Sequence, residues 1–119
     1  MTITRIDLHG QALPPGAVYC GRPMRPRRLR DGTVLPALAG SVLANAFRGP
    51  DAVAHYRDWL AVCQRFSTVH PRRVRAVLAE LQRLRALARQ GDLVLACWCQ
   101  ADQACHCDVI REYLEESKP

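Results

Sequence analysis

A chain of 119 residues, 49% apolar and 24% charged, has the length of one domain with a single core, so a single domain over 1–119 is expected. That composition excludes wholesale disorder, and no apolar run nears the ~20 residues needed to cross a bilayer. The opening MTITRIDLHGQ carries no basic-then-apolar leader, so the expectation is a soluble cytoplasmic protein without a membrane partner. The formal net charge of +6 is carried by arginine, since Lys118 is the only lysine. Arginine's planar fork suits bidentate contact with phosphate or carboxylate.

Residues 2–8 alternate well enough for a short strand. "LPPG" interrupts the chain, and Ala17–Cys20 reads as a second short strand ending at Gly21. Residues 21–40 read as a loop, with Pro23, Pro26 and Pro36 and a turn at Asp31-Gly32. This loop is long enough to need a functional reason, and its Arg22, Arg25, Arg27, Arg28 and Arg30 are the better candidates for phosphate contact. Residues 41–47 have no clear period. Asp51 is a plausible N-cap for a helix running to about Phe66, with Val53, Tyr56, Leu60 and Cys63 on one face.

A longer helix follows, with Pro71 near its first turn, an apolar face of Val74, Val77, Leu78, Leu81 and Leu84, and Gly91 as its stop. Arg72, Arg73, Arg75, Arg83, Arg85 and Arg89 fill its other side and read as a solvated face. Residues 92–99, DLVLACWC, form a nearly continuous apolar run, the signature of a strand covered on both sides. A closing helix over about 106–116 buries Val109, Ile110, Tyr113 and Leu114. Strand, helix, helix, strand, helix predicts an α/β fold: a small Rossmann-like sandwich, mostly parallel sheet with flanking helices.

The stretch CWCQADQACHCDV, 97–109, holds four of the six cysteines and His106. In a reducing compartment clustered cysteines mean metal, catalysis or burial before disulfides. For zinc, Cys97, Cys99 and Cys105 with His106 or Cys107 supply four ligands, although a flat C-x-C strand holds its sulfurs too far apart unless it bends. For a reactive thiol, Cys105 at a helix N-terminus is best placed, with His106 as acid or base, although adjacent residues seldom make the working hydrogen bond. For burial, Cys97 and Cys99 are small apolar residues in a crowded strand. Cys20 and Cys63 read as core, Trp59 and Trp98 as core anchors, and His9, His55 and His70 receive no role. Asp108, in the first turn, suits the helix dipole and is also a functional carboxylate candidate.

VYCGRP (18–23), SVLANAFRGPDAVAHYRDWL (41–60) and LVLACWCQADQACHCDVIREYL (93–114) together resemble a small bacterial and phage family of unknown function. Its members read V-Y-x-G-R, G-N-P-F, Y-R-x-W-L, C-W-C-x-P and C-H-x-D-V-L. The resemblance draws interest to Gly21, Arg22, Asn45, Phe47, Tyr56, Arg57, Trp59, Cys97, Trp98, Cys99, Cys105, His106 and Asp108. Ala44 and Ala46 stand where the family has Gly and Pro, and Cys107 where it has Gly or Ala. Cys97, Cys99, Cys105 and His106 therefore remain as the family-like quartet.

These observations converge on a pocket at the carboxyl end of the central strand. Gly21, Arg22, Asn45 and Arg48 would bind an anionic ligand, a nucleotide, nucleoside or nucleic acid. Cys105, His106 and Asp108 would supply chemistry or polar readout, as in a nucleotide- or base-processing enzyme. The alternatives are a zinc-stabilised nucleic-acid-binding module and a phage or host interaction protein without activity.

Overall fold

The computed structural model describes residues 2–65, 72–99 and 104–116. Its elements follow the order β1 (Ile3–Asp7), β2 (Val18–Tyr19), β3 (Arg27–Arg28), β4 (Val34–Leu35), α1 (Ala52–Arg65), α2 (Arg72–Gln90), β5 (Leu93–Cys97) and α3 (His106–Glu116). The last strand in sequence lies in the middle of the sheet. The order is β1-β5-β2, with β5 parallel to both neighbours. Helices with a small, mostly parallel sheet make this an α/β protein. The expected helix end at Phe66, the expected start at Pro71 and most of the loop before Cys105 lie outside the described residues.

β5 is paired along both edges, and its apolar side chains are buried except for Val94, which is half-buried, as the continuous apolar run predicts. Registration pairs Ile3 with Leu93, Arg5 with Leu95 and Asp7 with Cys97, while Val18 faces Leu95. One cluster then gathers Leu93, Leu95 and Cys97 with Tyr56, Leu60 and Cys63 of α1, Val77, Leu81 and Leu84 of α2, and Val109, Ile110 and Leu114 of α3. The three-and-four spacing on each helix puts these residues on one stripe, and the stripes converge on one side of the sheet. Tyr113, expected inside, is half-buried and receives the Arg85 guanidinium over its ring at 4.9 Å.

The stretch read as a continuous loop, 21–40, contains a hairpin instead. β3 and β4 pair antiparallel, and a Met24–Leu38 bridge extends the pairing. The turn falls where Asp31-Gly32 predicted it. Gly32 adopts a φ of 89°, which other residues rarely do, and the Asp31 carboxylate accepts the Thr33 N–H at 2.9 Å. Strands of two residues each, Arg27–Arg28 and Val34–Leu35, are too short to show an alternation, so periodicity could not announce the hairpin.

Parallel strands bring the carboxyl ends of β1, β5 and β2 to one edge. The start of α3 comes back to that same edge, since the Cys20 carbonyl contacts His106 there.

Candidate functional site

The strand ends at Cys97 and the chain bends at Trp98 and Cys99. The bend sends Cys97 and Cys99 into different donor groups, so the C-x-C pair does not supply two ligands to one ion. Opposite it, Cys105 caps α3. Its Sγ accepts the Cys107 N–H at 3.4 Å, and the Asp108 carboxylate returns to accept the Cys105 N–H at 3.3 Å. The thiol serves as the N-cap acceptor, and Asp108 at the third helical position reaches back as in a capping box. Asp108 also accepts from Arg5 at 2.9 Å. The carboxylate marked for chemistry is thus spent on the helix start and on a partly buried ion pair.

His106 is 7% exposed and its two nitrogens have separate tasks. Nε2 lies 2.6 Å from the Cys20 carbonyl oxygen, which only accepts, so Nε2 carries a proton and donates it. Nδ1 is thereby turned to Cys105 Sγ at 3.7 Å. Neighbours in sequence do meet here, contrary to expectation, because the carbonyl anchors the far side of the ring and Tyr56 packs edge-on at 5.2 Å.

The electrostatics follow from this packing. The surrounding thiols of Cys107, Cys97 and Cys99, with His106, hold the Cys105 thiol well below its ordinary range, against the opposing effect of burial. Burial pulls His106 down, but Cys105 and the Cys20 carbonyl outweigh it and the net direction is up. Cys99 and Cys107 are pushed up, chiefly by Cys105. Cys105 pushes the Cys97 thiol up, whereas Cys107 and Cys99 draw it down to about 7. Its 3.6 Å contact with the Ile6 carbonyl oxygen suits only the protonated form, and we take Cys97 as a thiol. Within the cluster, Cys105 is the sulfur most favoured to ionise.

The donor atoms fall into two groups that share Cys105. Cys97, Cys105 and Cys107 form one, fully buried; Cys99, Cys105 and His106 form the other. In each, the donor atoms lie within 4.8 Å of one another, close enough to hold a metal ion. Among the described residues the family-like quartet does not assemble as one group of four.

Beside the second group lies a cavity of about 760 Å³. Its walls include Gly21, Arg22, Asn45, Arg48, Cys99, Cys105 and His106, so all four residues expected to hold a ligand share it with the sulfur cluster. Three of the four have structural duties. Arg22 donates to the Asn45 carbonyl through Nε at 3.0 Å and Nη2 at 2.8 Å, and to the Phe47 carbonyl at 3.3 Å. Asn45 accepts the Phe47 N–H at 2.9 Å and donates to the Ala52 carbonyl at 3.2 Å. A Cβ on Gly21 would sit 2.5 Å from the Tyr19 hydroxyl. Arg48 is exposed at the rim. Asp108 and Cys97 are not among the lining residues. A second recess, of about 530 Å³ near Thr2, Arg85 and Arg89, has no sulfur donor.

Sequence reasoning missed the wall next to Cys99. Trp98, expected in the core, lines the cavity half-buried. The Arg27 guanidinium lies 3.9 Å from its ring centroid, and His9 packs edge-on at 5.1 Å. His9 in turn pairs with Asp7. Arg27 and Trp98 lie far apart in sequence, so no local pattern pointed to their contact.

The profile described as Domain of unknown function (DUF4326) matches residues 5–116. No curated protein and no solved structure gives a significant match.

Proposed function

The chain belongs to the domain-of-unknown-function family DUF4326, and on that footing we propose that it binds a nucleotide- or nucleoside-class ligand in the 760 Å³ cavity and processes it at the sulfur–imidazole end. The observation that carries this reading is the convergence of Gly21, Arg22, Asn45 and Arg48 with Cys99, Cys105 and His106 on one recess of ligand size. Arg48, exposed at the rim, is the anion contact. Arg22 and Asn45 shape the wall, and the first turn of α3 adds its positive end. We read the arrangement as Rossmann-like, with the ligand beyond the carboxyl ends of parallel strands. A reducing cytoplasmic setting suits six free thiols.

Thermal shift against nucleoside mono-, di- and triphosphates, free nucleosides and inorganic phosphate tests the proposal, because a ligand that prefers the folded state raises Tm. At least one phosphate-bearing compound should raise it, and Arg48→Ala should weaken that effect. No rise with any of them at millimolar concentration would defeat the proposal.

One observation favours a second reading. Arg72, Arg73, Arg75, Arg83 and Arg89 are exposed along α2, a basic row compatible with nucleic acid on a domain that a metal ion at the sulfur cluster would stabilise. Affinity for DNA or RNA that falls steeply with salt would support it.

A further inference from the structure

The five donors at the strand end, Cys97, Cys99, Cys105, His106 and Cys107, exceed what a capped helix needs. Two arrangements compete, and they differ in access and in what surrounds each sulfur.

In the first group, Cys97, Cys105 and Cys107 are all 0% exposed. Cys97 Sγ rests 3.6 Å from the Ile6 carbonyl oxygen, a neighbour that welcomes S–H and repels a metal-bound thiolate. Of this group only Cys105 lines the cavity, and Cys97 and Cys107 lie behind it, away from the entry path that a metal site needs.

The second group differs on each count. Cys99, Cys105 and His106 all line the cavity, so an ion can reach them. His106 presents Nδ1 inward while Nε2–H is fixed on the Cys20 carbonyl at 2.6 Å. A backbone carbonyl holding the far nitrogen is the usual support of a metal-ligating histidine, since it sets both tautomer and ring direction. Cys105 Sγ already accepts a backbone N–H, from Cys107 at 3.4 Å, which stabilises a thiolate. The Cys105 Sγ to His106 Nδ1 distance of 3.7 Å matches the spacing of about 3.5–3.8 Å between donors on a tetrahedral zinc ion.

We infer that Cys99, Cys105 and His106 form a three-ligand site for a zinc-class divalent ion whose fourth position opens on the cavity. Two thiolates and a neutral imidazole cancel a double positive charge, so the occupied site buries no net charge. Binding releases the protons still held by the two thiols. Cys97 and Cys107 stay thiols and take no part. A three-ligand site with an open position is the arrangement of catalytic rather than structural zinc, and a bound ion there acts as a Lewis acid on whatever enters the cavity. Only that last role rests on the proposed function; the ligand set stands without it.

The test uses the untagged full chain. Purified without chelator, it should carry about one zinc per chain by elemental analysis. Cobalt titrated into metal-free protein should give intense sulfur-to-metal absorption and tetrahedral d–d bands, and added azide or cyanide should shift those bands. Cys99→Ser and His106→Gln should each weaken metal binding at least tenfold, while Cys97→Ser and Cys107→Ser retain it. Wild-type protein that holds neither zinc nor cobalt overturns the inference. So does loss of metal in Cys97→Ser or Cys107→Ser with retention in Cys99→Ser. A cobalt spectrum indifferent to added anion overturns the open position, and because it is read on the wild type, a variant that fails to fold does not spoil it. Loaded metal with no nucleotide-dependent Tm shift would instead defeat the proposed ligand and leave the metal site intact.

Discussion

The floor and the rim of the cavity are built on opposite principles. The floor, Cys99, Cys105 and His106, is set at the junction of a central strand and a helix start, so regular elements hold it and its donor atoms remain turned to one another. The rim, residues 21–24 and 45–50, belongs to no regular element apart from the Met24–Leu38 bridge. It is held by the side chains that looked most like ligand contacts. Arg22 makes three contacts to the carbonyls of Asn45 and Phe47, and Asn45 closes the turn on Phe47 while tying it to the first residue of α1. A polar side chain in a loop therefore has two competing employers: the ligand and the loop's own unpaired backbone. Here the backbone has taken Arg22 and Asn45 and left Arg48.

Substitutions at three positions would break or sharpen that contrast. The largest effect is expected under the floor. Ile110→Ala, at a fully buried position of α3, should cost about 2–5 kcal/mol in chemical denaturation through lost burial and a cavity, and should lower metal content by loosening the helix that carries Cys105 and His106. Next comes the rim. Arg22→Ala removes charge-assisted bonds to two carbonyls and should cost about 2–3 kcal/mol, with Arg22→Lys recovering only part, because an ammonium cannot reproduce the fork. If Arg22→Ala were neutral for stability yet abolished ligand binding, Arg22 would be a ligand contact and the contrast would fail. The smallest effect belongs to Arg48→Ala. Unfolding free energy should stay within about 0.5 kcal/mol, and any change should appear in ligand affinity and its salt dependence.

The same division runs through the whole reading of the chain. Tyr56, Leu60 and Cys63, then Val77, Leu81 and Leu84, announce their helices by spacing, and all six are buried as that spacing demands. Leu93–Cys97 announces a strand with two covered faces, and it is the middle strand. The site was legible as a place, because sulfur and histidine crowd into 97–107 and the helix start follows at once. Its internal assignments were not legible. Trp98 reads as a core residue until Arg27 is found over its ring. Asp108 reads as a free carboxylate until Arg5, 103 positions away in sequence, is found against it.

By itself the sequence determined the elements other than the β3–β4 hairpin, the buried stripe of each helix and the address of the sulfur cluster, since periodicity and capping are properties of neighbouring residues. Only the tertiary structure decided that β5 enters between β1 and β2, that Arg22 is consumed by carbonyls 23 and 25 positions away, and that Cys105 meets Cys99 and His106 on the open side but Cys97 and Cys107 on the sealed one. Hydrogen-bond and donor partners are chosen by distance in space. That distance is set by how the helices pack on the sheet, which no local pattern encodes.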